Sequence, residues 1–478
     1  MPQFELAGLS GDRVVVSDIQ VDQLASNLRG QLLREGDTGY DEARTIWNAM
    51  IDKRPALIAR CAGAGDVKHA VEFARQNRLV VSVRGGGHNI AGNAVCDRGL
   101  MIDLSLMKSV QVDPQKRTAQ VEPGVTLGEF DQQAQLHGLA TPLGINSTTG
   151  VAGLTLGGGF GWLTRKYGLT VDNLLSADVI TADGAFRRAT ASENADLFWG
   201  IRGGGGNFGI VTRFEYKLHP VGPEVFAGLL VYPHDQAKSV LRRYREFTRQ
   251  APHDLTVWVV LRKAPPLPFL PESIHGKEVL VLPVFFLGDA KAGQKAIRPL
   301  EEFAPLVGKH VGAMPYTAFQ QAFDPLLTPG ARNYWKSHDF DELNDEAIEK
   351  TVEYSGKFPS PHTEIFIGQI GGRMNTVPGD ATAYPHRNVN YVMNVHGRWD
   401  DPADDQRCIS WAREFFQAVA PYSLGSVYVN FMTADEQDRV EAAYGKNYDR
   451  LVALKQKYDP GNLFCRNQNI KPGVLRAR

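Results

Sequence analysis

Three clusters of glycine between residues 85 and 209 constrain this chain more than any other feature. They are Arg84-Gly85-Gly86-Gly87-His88, the run GVAGLTLGGGFGW that begins at Gly150, and Arg202-Gly203-Gly204-Gly205-Gly206-Asn207-Phe208-Gly209. Glycine is costly inside helices and strands. A cluster of it marks backbone that turns tightly or comes unusually close to something else. One such cluster reads as an ordinary loop; three in succession point to a large ligand cradled by main chain.

The flanking sequence tells the clusters apart. In GDVKHAVEFARQNRL, Val67, Ala70, Val71 and Ala74 fall at helical spacing, with Asp66 as the expected N-cap. That helix lies between a β-like PALIAR and a short buried strand, VVSV, so the first cluster follows a β-α-β unit and ends on His88. A lone histidine after a turn is ordinarily a polar turn residue, but three preceding glycines let this one approach a cofactor. GLMIDLS and TAQVEPGVT are strand candidates, and VTLGEFDQQAQLHGL reads as a helix closing at Gly138. The second cluster is apolar, and LLSADVITADGAFRRAT after it reads as a hairpin around Asp183-Gly184. The third contains Gly204-x-Gly206-x-x-Gly209, the spacing of the dinucleotide fingerprint. That fingerprint needs a strand before it and a helix after it, so that a pyrophosphate meets a helix N-terminus. Here helix-like DLFWGIR precedes and strand-like IVTRFEYKL follows. The inverted order excludes a Rossmann NAD site and leaves a nest of main-chain N–H groups as the use for these glycines.

A chain of 478 residues exceeds one hydrophobic core, so two domains are expected. The formal net charge of -1, without a basic stripe, gives no reason to expect nucleic acid or an anionic membrane as partner. No apolar run reaches the roughly 18 residues of a membrane span, and the N-terminus does not read as a signal peptide. Cys61, Cys96, Cys408 and Cys465 lack C-x-x-C spacing and paired histidines, so a reduced, cytoplasmic setting and no metal site are expected.

Near Pro220 to Pro223 the character changes. FAGLLVYP, LTVWVVLRK, KEVLVLPVFFLG, TEIFIGQIGG, RNVNYVMNVHGRW and SVYVNFM are strand candidates, with helix-like DQAKSVLRRYREFTRQ and DPADDQRCISWAREFFQAVA between them. The pattern predicts an antiparallel sheet covered by helices, and an α+β class overall. The tail reads as a helix closed by Asp459-Pro460-Gly461 and followed by extended chain.

VSVRGGGHNIAG, GVAGLTLGGGFGWLTRKYGLTVDNLLSADVITADG, DLFWGIRGGGGNFGIVT and YDPGNLFCRNQNI, in that order, resemble the landmarks of the berberine-bridge-enzyme-like flavoproteins, which share the vanillyl-alcohol-oxidase or PCMH-type FAD fold. The resemblance runs from about residue 44 to the C-terminus. It implies a two-subdomain FAD-binding domain over 44–222, a substrate domain over 223–440 and a C-terminal segment, 441–478, returning to the first. It also implies FAD bonded through its 8α-methyl carbon to His88; a neutral imidazole is a chemically reasonable nucleophile for that carbon, and the protein's part is position and electrostatics. Many relatives add a second link from a cysteine. Asn146 stands in that place here, so His88 is expected to be the only anchor, as in the 6-hydroxynicotine oxidase branch. The other cofactor contacts implied are Arg84, Gly85, Gly86, Gly87 and Asn89; Gly144, Thr149, Gly150, Gly153, Gly157, Gly158 and Gly159; Ile210 and Val211; and Asn467, Gln468 and Asn469. Asp172 and Asn173 are expected to order the FAD loops.

Thr149 falls where the family's oxygen-access pocket lies, and its small size favours dioxygen as acceptor. The reaction expected is hydride transfer from an alcohol, sugar or amine C–H to the flavin, with hydrogen peroxide as by-product. A base must take the substrate's O–H or N–H proton. In Tyr428-Val429-Asn430-Phe431 strand alternation puts Tyr428 and Asn430 on one face, and Tyr428 is the candidate base, with a packed structural tyrosine as the competing reading. Its phenol, near pKa 10, would need activation. Relatives often carry a second tyrosine where Phe431 stands. Tyr391, Asn394 and His396 are further candidates, although Tyr391 and His396 have opposite strand parity. A dehydrogenase or oxidative-cyclisation enzyme, and a non-catalytic flavin-binding protein, are the competing functions.

Overall fold

The computed structural model describes residues 3–473. Its first sheet has the order Gln31–Arg34, Leu57–Arg60, Leu100–Asp103, Val81–Arg84. The last three strands are parallel, with the helix Ala64–Gln76 crossing between the second and fourth of that order. Leu57, Ile58, Ala59, Leu100, Met101 and Ile102 are all fully buried, as strands covered on both faces must be. Residues ahead of 44, outside the domain expected from the sequence, join this layer. Gln31–Arg34 pairs antiparallel with Leu57–Arg60, and the hairpin Gln3–Ala7/Arg13–Ser17 is fastened where Ala7 N–H donates to the Arg98 carbonyl at 2.7 Å. Asp66 is not the N-cap; Gly63 is, and Asp66 lies inside the first turn. Its buried carboxylate accepts from the N–H groups of Arg29, Gly30 and Ala62 at 2.8 to 3.0 Å, pinning the preceding strand to the helix.

The second sheet is antiparallel, in the order Phe186–Thr190, Leu174–Ile180, Ile210–Lys217, Thr118–Val121, Val110–Asp113. Its hairpin turns at Gly184, with φ +81°, as Asp183-Gly184 predicts. The third sheet runs Gly308–Pro315, Glu224–Pro233, Glu278–Phe286, Val259–Lys263, Glu364–Gln369, Tyr391–Trp399, Arg332–Phe340, with Leu255–Val257 also paired to Glu278–Phe286. One face of it packs through Leu282, Ile365, Ile367, Met393 and Val395 against the helices Ala237–Thr248 and Asp405–Val419. The architecture is α+β, as expected.

SVYVNFM is not a strand. Val429–Phe431 forms one 3₁₀ turn, so alternation does not apply there. The final helix, Tyr448–Tyr458, packs on Ala195–Ile201, and Leu451, Leu454, Tyr458 and Ile470 share a core with Val121, Phe214 and Phe208. The chain therefore returns, as far as Ile470, to the layer that holds the glycine clusters.

Candidate active site

The three glycine clusters meet the uncovered face of the third sheet around a cleft of about 350 Å³. In it the first two clusters touch. A Cβ on Gly86 would lie 2.3 Å from the Gly150 nitrogen, and one on Gly150 2.3 Å from the Gly86 nitrogen. Both obstacles are backbone, so only glycine fits at either position. Among the described residues no main-chain N–H from Gly85 to Asn89 donates to a protein acceptor. Free N–H groups in succession are the kind of backbone that suits an anion, and this run is called the nest below.

His88 stands at the end of the nest. Its ring stacks on Trp47 with 5.2 Å between centroids. Its Nε2 lies 2.9 Å from Thr148 Oγ1, which in turn donates to Asn146 Oδ1 at 2.7 Å. With the threonine proton so committed, Thr148 Oγ1 accepts from Nε2–H, leaving the lone pair on Nδ1; the contact from Thr149 Oγ1 to Nδ1 is long, at 3.4 Å. Burial drives the His88 pKa down to about 3, against a contact with the Thr148 backbone that raises it. The imidazole is neutral at physiological pH.

Of the residues expected around the cofactor, Gly85, Gly86, Gly87, His88, Asn89, Gly144, Asn146, Thr149, Gly150, Gly153, Gly157, Ile210, Val211, Asn467 and Gln468 line the cleft, as do Tyr428 and Asn430. Others stand behind it. Arg84 turns back to the Ala43 carbonyl. Gly158 and Gly159, with φ +122° and +74°, support Tyr428, whose hydroxyl accepts from Gly159 N–H at 3.0 Å. Asn469 is outside the lining, and its Oδ1 is buried without a partner among the described residues. Tyr391 faces the helix-covered core, where its hydroxyl meets Thr248 Oγ1 at 2.5 Å; opposite strand parity put it there. Asn394 and His396 face the cleft. Asp172 works between the two halves of the fold, accepting both Arg387 terminal nitrogens at 2.8 Å.

Tyr428 is buried. Its phenol accepts from Gly159 N–H and from Asn430 Nδ2, each at 3.0 Å, yet burial outweighs both and pushes its pKa up to about 12. Because Tyr428 to Phe431 form a turn, all four reach the lining. The sequence reading passed over Glu364, Phe366, Trp47, Trp258 and Trp335, which also line the cleft. Alternation in TEIFIGQ does carry a signal, a carboxylate and an aromatic on the face opposite Ile365 and Ile367. Nothing local marks Trp47. Glu364 accepts from Arg262 at 2.8 Å and lies 3.2 Å from His396 Nδ1. Burial raises its pKa, but Arg262, then His396, outweigh burial and hold it below the ordinary carboxyl value. Burial keeps the His396 pKa below its usual value despite Glu364.

The donor set fits FAD. The nest suits its pyrophosphate, and Gly153 and Gly206 would carry a Cβ with nothing within 4 Å, leaving open space at the wall. Asn93 Nδ2 and Asn467 Oδ1 are buried at the cleft without a partner among the described residues, a donor and an acceptor for polar ligand edges. Among the described residues no group of three His, Cys, Asp or Glu side chains could hold a metal ion. No helix there is long and apolar enough to cross a membrane.

Fold and cleft together define an FAD-binding oxidoreductase. Residues 55–190 match the FAD binding domain family, and 427–471 match the berberine and berberine-like family. The chain is 32% identical over 457 residues to an FAD-linked oxidoreductase of Dictyostelium discoideum, covering 95% of this chain and 97% of that protein. It is 30% identical over 463 residues to (R)-6-hydroxynicotine oxidase of Paenarthrobacter nicotinovorans, covering 93% and 97%. The crystal structure of 6-hydroxy-D-nicotine oxidase from Arthrobacter nicotinovorans superposes with a TM-score of 0.82 at 28% identity, covering 93% of this chain and 98% of that one. The chain belongs to the berberine-bridge-enzyme-like FAD-linked oxidoreductases, and it is an enzyme of that family.

Proposed function

We propose that the protein is an oxidase carrying FAD on His88 as its single covalent anchor. It would oxidise the alcohol or amine C–H of a small, largely apolar molecule, with dioxygen as acceptor and hydrogen peroxide as product. When bound, FAD supplies the hydride acceptor and hands the electrons to dioxygen. The observation that carries this reading is the chain from Asn146 Oδ1 through Thr148 Oγ1 to His88 Nε2. It presents a neutral imidazole with a free Nδ1 lone pair, the form able to act as a nucleophile. Asn146, where relatives carry a cysteine, has an amide that cannot form a second link. The likeness to a named hydroxynicotine oxidase supports the oxidase half of the proposal.

The substrate end is shaped by Trp47, Trp335, Trp258 and Phe366, and it continues past Ile145 and Leu327 into a side cavity of about 60 Å³ walled by Leu229, Val231 and Val281. That lining favours an apolar or aromatic body over an oligosaccharide. Tyr428, with its raised pKa and two N–H donors on its oxygen, is suited to hold position rather than to take a proton. Glu364 is the group for that step. It is an ionised carboxylate facing the cleft, held by Arg262 and His396, with lone pairs to spare for a substrate O–H or N–H.

Acid precipitation tests the anchor. The yellow colour should stay with the pellet of the native protein and leave it in His88→Ala. Complete release of FAD from the native protein would sink the linkage. Peroxide formation with a panel of lipophilic alcohols and amines tests the chemistry.

A further inference from the structure

A second cavity, of about 450 Å³, opens beside the segment Thr170–Asn173, whose Thr170 and Val171 N–H groups are donated to the Gly159 and Gly158 carbonyls. It is a cleft between the two halves of the fold. Lys166, Arg202, Lys217 and His219 come from the glycine-cluster half, Arg373 and Thr382 from the other.

Its charge is one-sided. Four Lys and Arg side chains line it and a single carboxylate, Asp172. Asp172 is already taken up by Arg387, and Lys166 is paired with Asp254 at 2.7 Å. Lys217 and Arg373 have no carboxylate partner among the described residues, and Arg202 shares the field of Asp172 with Arg387. Arg202 donates to the carbonyls of Phe198 and Ala381, Arg373 donates to Thr376 Oγ1 at 3.0 Å, and the Lys217 side chain has no hydrogen bond or ion pair among the described residues. In a chain whose formal net charge is -1, four cations against one shared carboxylate leave a local positive excess that a bound anion would offset.

We propose that this cavity binds a multivalent oxyanion of the phosphate or phosphate-ester class, which bridges the two halves of the enzyme. Guanidinium groups offer several N–H donors to such oxygens, and the lysine adds a mobile point charge. The site is separate from the nest at Gly85 to Asn89.

The test is calorimetric titration of the FAD-loaded enzyme, whose own pyrophosphate site is filled, with inorganic phosphate and with glycerol phosphate. Sodium chloride at matched ionic strength is the control. Saturable binding with a stoichiometry near one is expected, weaker by tenfold or more in Lys217→Glu and in Arg373→Glu, and unchanged in Lys291→Glu. Lys217, Arg373 and Lys291 are all exposed, so these variants should fold. Glycerol phosphate binding at least as well as inorganic phosphate would identify a phosphate ester as the natural class, and phosphate binding alone would identify the simple anion. No saturable binding to the native enzyme, or undiminished binding in both site variants, would overturn the proposal.

Discussion

Glu364 occupies a position where a carboxylate is expensive, largely covered at the cleft wall, and it is kept ionised by Arg262 and His396. A group retained under those conditions should be used. Glu364→Gln is expected to lower kcat/KM by about 10²–10⁴, the usual worth of a positioned base, while the flavin remains in the acid pellet. The pH dependence has a defined sign. A carboxyl held below its ordinary value of about 4.3 stays a proton acceptor until the pH falls beneath that value. The acid limb of kcat/KM should therefore stay flat from pH 7 down to about 5. An acid limb above pH 5 would assign the titration to a group other than Glu364. Gly86 makes a different kind of demand. Its neighbour is backbone on every side that matters, so Gly86→Ala must part the first two clusters. The expected outcome is protein that retains little FAD, read from the ratio of flavin to protein absorbance.

At the scale of elements, the last helix is fastened to the third glycine cluster by one lysine. Lys455, fully buried, donates to Asp459 at 2.7 Å and to the carbonyls of Asn207 and Phe464 at 2.9 Å. Lys455→Ala leaves Asp459 buried and unpaired and should cost about 3–5 kcal/mol, measured by urea unfolding, with the flavin content of the purified protein falling alongside. The sequence displays that helix and its Asp459-Pro460-Gly461 stop, but not the knot, because the Asn207 carbonyl that ties it to the glycine cluster lies 248 residues away in the chain. The same limit runs through the fold. Strands such as Glu278–Phe286 and Tyr391–Trp399 are legible because they are apolar and β-branched. Arg332–Phe340 is not, because Asn333, Lys336, Ser337, His338 and Asp339 are polar residues buried in a network only the folded chain completes. SVYVNFM has strand composition, yet close packing of Asn430 on Gly157 and of Tyr428 under Gly159 turns it. The glycine clusters and His88 are legible for the opposite reason, since each cluster shows its pattern within one continuous stretch of sequence, even though the contacts that require it come from about 60 residues away. Trp335 and Glu364 reach the site only through sheet assembly, and Trp47 through a loop, where its backbone and indole N–H groups donate to the Gly87 and Leu327 carbonyls.

Over the whole molecule, the two halves of the fold meet at a carboxyl that is expected to make stability depend on pH. The helix Leu127–Gln135 packs on the helix Tyr316–Gln320, and Asp131 there accepts from Gln320 Nε2 at 2.8 Å. Burial pushes the Asp131 pKa up to about 7, against the opposing effect of that hydrogen bond. An unfolded aspartate titrates near 3.9. Between these two values the folded chain holds a proton that the unfolded chain has released, so stability falls as pH rises from about 4 to about 7 and the loss is complete above that. At ~1.4 kcal/mol per pK unit, the upper bound of the loss is about 4 kcal/mol. Asp131→Asn keeps the shape and an acceptor for Gln320 and has no proton to lose. Denaturant unfolding should find it more stable than the native chain at pH 8, with the difference shrinking steadily toward pH 4.5. An equal difference at both pH values would show that the substitution acts through packing. A variant less stable at pH 8 would mean that the junction depends on the charge it was expected to resist.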